Sequence, residues 1–205
     1  MLNLSLFSEL SPTDYANVLK RDHFMDFGIK ALWPNTPRVC GPAFTVQLAP
    51  GDHLMLHMAI HQAPEGSIIV ASGCGNDLAA AGGNVCAVAK KRGIAGFIID
   101  GVVRDIAEIR ENQFPVFARG VFPVPGNKMF ISPLETPIIC GGANVESGDI
   151  IVADEEGIVV IPKQRSEEIY SLVKAKFDAE QSMTLEQWQQ HHIERITSAY
   201  NKQST

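Results

Sequence analysis

GGNVCAVAKKRGIAGFIIDGVVRDIAEIRENQFPVFARG, residues 82–120, reads as a helix, a buried strand and a loop that carries an arginine–aspartate pair. Gly82, Gly83 and Asn84 open the helix, and Gly93 closes it as a C′ glycine does. AGFIID, residues 95–100, is a short apolar run of strand type. Gly101 is expected to break that strand, and Val102-Val103-Arg104-Asp105 to lead into a second helix. A glycine-rich helix start presents free N–H groups to an anion, and equally allows close packing of helix on sheet; spacing alone leaves both readings open. A cation and a carboxylate side by side at a strand's end offer one group for a substrate and one for a metal.

Outward from this block, elements of both kinds mix without strict alternation. Ser11 and Pro12 mark the start of a helix running to about Leu19, and residues 28–37 are a connection rich in turn residues. GPAFTVQL (41–48) and SIIVAS (67–72) read as strands; between them Asp52 caps a helix from His53 to about Gln62. A further strand falls near 115–118, and residues 121–135, with three prolines and a glycine, form a loop. TPIICGG (136–142) reads as a strand, and IIVAD and IVVIP as a hairpin turning at Glu155-Glu156-Gly157. From Ser166 the pattern is helical to about Tyr200, with Ile169, Leu172, Val173 and Phe177 as its apolar stripe. The expectation is a single α/β domain over 1–205, with a mixed sheet in a core of about 10–165 and a C-terminal helical segment of about 166–200.

The 205 residues suffice for one domain with a sizeable core. A net charge of −6 argues against a nucleic-acid binder; the one compact basic cluster, Lys90-Lys91-Arg92, suits a helix C-terminus. Cys40, Cys74, Cys86 and Cys140 lack zinc-ligand spacing and read as small buried thiols. The N-terminus has no basic region before its apolar residues, and no apolar run reaches the roughly 18 residues that span a bilayer. The expected setting is the cytoplasm, away from membrane and nucleic acid.

Among the motifs, Gly73-Cys74-Gly75 fails as a dinucleotide fingerprint, because the third glycine would fall at Leu78. His53, His57 and His61 share a helix face, but the glutamate of H-E-x-x-H is missing, so a partly exposed helix with interface histidines is the preferred reading. Asp100, Asp105 and Glu108 cluster within nine residues, and on the second helix Asp105 and Glu108 stand i, i+3. Acids favour a helix start for its dipole, and Arg104-Asp105 could be a surface ion pair worth little. Position at the C-terminal end of an apolar strand, where α/β proteins place their sites, favours function. One carboxylate plus waters is how magnesium is held. There is no nucleophile elbow and no lysine in an apolar setting, which speaks against covalent catalysis.

Gly83, twenty residues, Arg104-Asp105, two residues and Glu108 match a G-x20-R-D-x2-E/D pattern, and in this the chain resembles the RraA-like family, which includes class II pyruvate aldolases such as 4-hydroxy-4-methyl-2-oxoglutarate (HMG) aldolase. VCGPAFTV (39–46), PGDHLMLHMAI (50–60), FPVFARG (114–120) and GDIIVADEEGIVVIP (148–162) carry the resemblance over about residues 10–180. It implies a β-rich core like the swivelling phosphohistidine-type domain, and a homotrimer or a hexamer of trimers. By position it implies that Asp105 ligates Mg²⁺ or Mn²⁺, that Arg104 contacts the pyruvyl oxygen, and that backbone N–H groups of Gly82, Gly83, Asn84 and Val85 hold the carboxylate of a small oxo acid. Glu108 and Asp100 would support the site. Glu180, with Asp178 second, would reach the metal's waters from a neighbouring subunit. Gly-Gly-Asn-Val stands here where several aldolases have Gly-Glu-Leu-Leu, which leaves the backbone role intact. The implied activity is a metal-dependent lyase acting on HMG-type substrates or oxaloacetate; the alternative is an RraA-type regulator that binds ribonuclease E or another protein. A methyltransferase label also circulates in the family and is set aside, because no glycine-rich S-adenosylmethionine loop is present.

Overall fold

Strand β2 (Val39–Gln47), helix α3 (Leu54–Gln62), β3 (Ile68–Gly75), α4 (Gly83–Lys91), β4 (Gly96–Val103), α5 (Ile106–Glu111) and β5 (Val116–Val121) follow one another as strand and crossover helix. The computed structural model that shows them describes residues 4–203; residues 1–3 and 204–205 of the expected domain span lie outside the described residues. Two short helices, α1 (Leu4–Ser8) and α2 (Pro12–Ala16), and a two-residue strand β1 (Lys30–Ala31) precede this block. After it come the hairpins β6 (Ile138–Cys140) with β7 (Ala143–Val145) and β8 (Ile150–Asp154) with β9 (Gly157–Ile161), then α6 (Ser166–Gln181) and α7 (Leu185–Gln203).

Seven strands form one mixed sheet in the order β1-β5-β4-β3-β2-β8-β9. β2 to β5 run parallel, while β1, β8 and β9 pair antiparallel with their neighbours. The sheet curls until it is nearly closed, and the segment before β1 covers the β9 edge: Met25 N–H donates to the Ile158 carbonyl at 3.1 Å, and Phe24 bridges to Val159. Period-2 alternation divides the core accordingly. Phe44, Val46, Ile69, Phe97 and Ile99 pack outward against Leu56, Ala59, Cys86, Ala89 and Ile109 of α3, α4 and α5. Ile68, Val70, Ile98 and Phe117 face the other way, toward the β6–β7 hairpin and Ile151, Ala153, Ile158 and Val160. A third cluster seats Phe7, Leu10, Tyr15, Ile169 and Val173 on β8 and β9. No helix among the described residues is long and apolar enough to cross a membrane.

The α/β class with a mixed, β-rich core is therefore as expected, and so is the β8–β9 hairpin. Three details differ. First, Gly101 does not end β4. Pairing continues to Val102–Gly120 and Val103–Val121 across an irregularity in register. The glycine is there because a Cβ would meet Cys74 Sγ and stand 2.6 Å from the Gly75 carbonyl oxygen. Second, α2 stops at Ala16, three residues short of Leu19; its start has the Ser11–Asp14 capping box, with Ser11 N–H donating to Asp14 Oδ2 at 2.7 Å. Third, the C-terminal helix is two helices. Thr184 opens α7 by accepting the Gln187 N–H at its hydroxyl, while its own N–H donates to Gln187 Oε1 at 2.9 Å. Thr-x-x-Gln is the capping signature that marks this break in the sequence.

Gly101→Ala forces one extra methyl into a closed strand contact, so it should destabilise the protein by about 1–3 kcal/mol. Urea unfolding would read this as a lower midpoint at unchanged slope; an unshifted midpoint would refute the close-packing account of this glycine.

Candidate active site

The site begins with two backbone hydrogen bonds. Ala80 N–H donates to the Val102 carbonyl and Arg104 N–H to the Ala81 carbonyl, each at 2.9 Å. They lay the segment before α4 along the end of β4, so the helix N-terminus and the Arg104-Asp105 pair arrive together. Asp105 is the N-cap of α5 in the left-handed region, at φ 59° and ψ 42°. Aspartate is among the few non-glycine residues that visit this region readily. The turn brings Asp105 Oδ2 within 3.2 Å of the Gly83 N–H and 3.5 Å of Arg104 Nε. Gly82 makes the approach possible: a Cβ there would stand 2.5 Å from Asp105 Oδ2 and 3.2 Å from Arg104 Nε. Gly83 serves Glu108 in the same way, since a Cβ would lie 2.8 Å from the Glu108 carboxyl carbon. Among the described residues, the amides of Gly82, Asn84 and Val85 meet no backbone acceptor. They point the positive end of α4 at whatever lies beside Arg104.

A cavity of about 470 Å³ opens there, lined by Gly82, Asn84, Val85, Arg104 and Asp105, by His53 and His57, and by Pro125, Gly126 and Lys128. The loop that brings Lys128 is irregular but fixed. Asn127 exchanges hydrogen bonds with Gly51 and His53, at 2.8 and 2.9 Å, and Gly126 N–H donates to the Ala79 carbonyl at 3.0 Å. The buried Asp52 carboxylate accepts from Met129 N–H at 2.6 Å through one oxygen and from Leu54 N–H at 2.9 Å through the other. It thereby ties the loop to the start of α3. His53 is only 6% exposed and His57 half-buried. Burial pushes the His57 imidazole down to about 4, helped by His53 and Lys128, and burial lowers His53 too. Both rings are neutral at pH 7.

The structure thus brings Gly82, Asn84, Val85, Arg104 and Asp105 to one cavity. Gly83 gives its N–H to Asp105, so three of the four expected amides remain for an anion. Glu108 packs against Gly83 and does not line the cavity. Asp100 is a correction: strand alternation turns it to the opposite face of the sheet. There it accepts from Arg119 Nε at 2.5 Å and from Gly141 N–H at 2.9 Å. It pins the β6–β7 hairpin and has no place in the cavity. Glu180 lines an open groove with Met183 and Trp188 between α6 and α7, and Asp178 pairs with Lys174; neither lines the cavity of its own chain. The helix is partly exposed, as expected, but its histidines do not share one environment. Only His61 is exposed, whereas His53 and His57 are cavity walls. Lys128 was missed because nothing in a proline-rich loop signals which way it folds. Cys74, Cys86 and Cys140 are buried as expected, while Cys40 is half-buried; burial pushes the Cys40, Cys74 and Cys86 thiols up to about 12, which leaves them inert.

Among the described residues no three of His, Cys, Asp and Glu converge on one point. Among the described residues that line the cavity, Asp105 is the one carboxylate, and it is 38% exposed. That donor set fits a hard divalent cation that keeps most of its waters, and it does not fit a zinc cage.

A nearly closed mixed sheet flanked by helices is the fold of the RraA class of α/β domains. The chain belongs to that family: the RraA-like model, Aldolase/RraA, matches residues 12–160. A protein of Halalkalibacterium halodurans named "Putative 4-hydroxy-4-methyl-2-oxoglutarate aldolase" is 41% identical over 140 residues, 68% of this chain and 67% of that protein. Among solved structures, an uncharacterized protein from Pseudomonas syringae pv. tomato superposes with a TM-score of 0.79 at 29% identity, covering 92% of both chains. Streptomyces coelicolor RraAS2, described as an unusual member of the RNase ES inhibitor RraA protein family, superposes at 0.75 with 27% identity over 87% of this chain and 91% of that one.

His57 titrates lower in the folded chain than its ordinary 6.5, so the unfolded chain binds the proton first. Its contribution to stability is intact above about pH 6.5 and is lost as pH falls toward 4. The Tm advantage of the native protein over His57→Gln should therefore shrink steadily between pH 7.5 and pH 5. A constant advantage across that range would contradict a buried neutral imidazole.

Proposed function

We propose that this chain is a divalent-metal-dependent lyase that forms a pyruvate enolate, by cleaving HMG-type 4-hydroxy-2-oxo acids or decarboxylating oxaloacetate. One observation carries the reading: the Arg104-Asp105 pair and the open amides of α4 line the same cavity. Both reactions break a C–C bond and leave charge on the oxygen of a pyruvyl unit. The amides of Gly82, Asn84 and Val85 suit its carboxylate, by hydrogen bonds and helix dipole together. The Arg104 guanidinium is a fixed cation for the oxygen where charge builds, and such preorganised donors carry much of the stabilisation in reactions of this kind. Asp105 would hold Mg²⁺ or Mn²⁺, which when bound supplies a Lewis acid to that oxygen. The fixed loop that brings Lys128 closes one side of the cavity and keeps the substrate oriented. The aldolase name of the Halalkalibacterium halodurans relative supports the same reading. A trimer or hexamer is in keeping with the exposed apolar residues Val121, at the end of β5, and Phe122, Val124, Met129, Phe130 and Ile131 on the loop that follows it.

The second reading is a regulator that binds ribonuclease E or another protein; it is favoured by the likeness to RraAS2. Pyruvate release in a lactate dehydrogenase-coupled assay tests the two. With Mg²⁺ or Mn²⁺, HMG or oxaloacetate should yield pyruvate, and EDTA should stop it. Asp105→Ala should abolish turnover, and Arg104→Lys should lower kcat/KM by about 100-fold or more. Pyruvate at the metal-only background from both substrates would exclude the lyase. Under the regulator reading, Asp105→Ala leaves partner binding intact.

A further inference from the structure

The cavity holds two polar atoms that the enolate chemistry does not use. His53 and His57 stack face to face, with ring centroids 4.4 Å apart and planes within 3°. His53 Nδ1 lies 3.3 Å from the Ala79 carbonyl, and the Ala80 carbonyl hydrogen-bonds the His57 ring. A carbonyl only accepts, so the His53 proton sits on Nδ1 and its Nε2 presents a lone pair. The Nε2 atoms of both rings are buried and have no partner among the described residues. A buried acceptor left bare is costly enough that folded proteins rarely keep one without a use. Here two stand side by side in the wall of a cavity whose other walls include Arg104 and Lys128.

The surroundings narrow what can bond to either of them, and a single hydroxyl, with one hydrogen, would be shared between the two or taken by one. A cationic donor is repelled by Arg104 and Lys128. A carboxylate has no hydrogen to offer and meets two lone pairs. An uncharged O–H group is the donor that fits both constraints. We propose that His53 and His57 form the subsite that accepts the hydrogen bond of a substrate alcohol, so that this chain favours 4-hydroxy-2-oxo acids over 2-oxo acids that lack the hydroxyl. This rests on the enolate-forming reading and adds the group that sets its substrate preference. A site built to bond a hydroxyl discriminates strongly against the analogue without one, because its own buried atoms are then left bare. The imidazoles read the hydroxyl; they are not required to take its proton.

The test compares kcat/KM for HMG cleavage and for oxaloacetate decarboxylation, using the full chain with Mg²⁺, in the native protein, His57→Phe and His57→Gln. Phenylalanine keeps the ring and removes the acceptor; glutamine keeps an acceptor. The HMG-to-oxaloacetate ratio should fall at least tenfold in His57→Phe and recover in part in His57→Gln. A ratio unmoved in both variants, whether the two activities fall together or hold together, overturns the subsite while leaving the lyase standing. If neither variant folds, ¹⁵N-histidine spectra of the native protein decide. Malate, which bears an alcohol, should shift the Nε2 resonances where succinate does not; equal responses overturn the proposal. Pyruvate from neither substrate in the native protein is a different failure, that of the lyase reading itself.

Discussion

The site depends on how closely the N-terminus of α4 can approach the end of β4. Two backbone hydrogen bonds, from Ala80 to Val102 and from Arg104 to Ala81, set that distance. Two adjacent glycines then remove the atoms that would keep the Arg104, Asp105 and Glu108 side chains away. The ion pair between Arg104 and Asp105 is long and half-exposed and contributes little by itself. What gives the pair meaning is that backbone bonds place it, so neither side chain has to be held by its partner. Each keeps its charge for something else.

Much of this was legible in residues 82–120. The glycine opening of α4, the apolar run of β4 and the acid at the start of α5 follow from local rules, because each is decided by neighbours in sequence. The Arg104-Asp105 pair could be placed at a strand's end for the same reason. Asp100 shows where local reading stops. It lies five residues from Asp105 and looked like a companion, but one step of strand alternation sends it to Arg119 on the far face. The irregularity at Gly101 could not be foreseen either, since it answers to Cys74 and Gly75 on the neighbouring strand.

The histidines illustrate a different gap. Their spacing put His53, His57 and His61 on one helix face correctly, but a face is not an environment. His53 is buried and His57 half-buried because Ala79, Ala80 and the loop at Gly126 close over that part of α3, and His61 lies beyond the cover. Asp52 likewise read as a helix cap; His53 holds the N-cap position, and Asp52 beside it accepts the Leu54 N–H. Its second oxygen fastens a loop some 77 residues further on, and so helps to fix one wall of the cavity.

The closure of the sheet has a kinetic meaning. Met25 meets Ile158 across 133 positions of chain (158 − 25), and the four central strands are parallel, so every strand pairing among them spans a crossover. Such non-local contacts are formed late and slowly, after much loop entropy has been lost. Until the segment around Phe24 and Met25 docks, β9 is an open edge carrying Ile158, Val159, Val160 and Ile161, four β-branched residues that invite another chain. The N-terminal segment is therefore the guard of that edge, and the interval before it arrives is when the chain is most exposed to association through strand pairing.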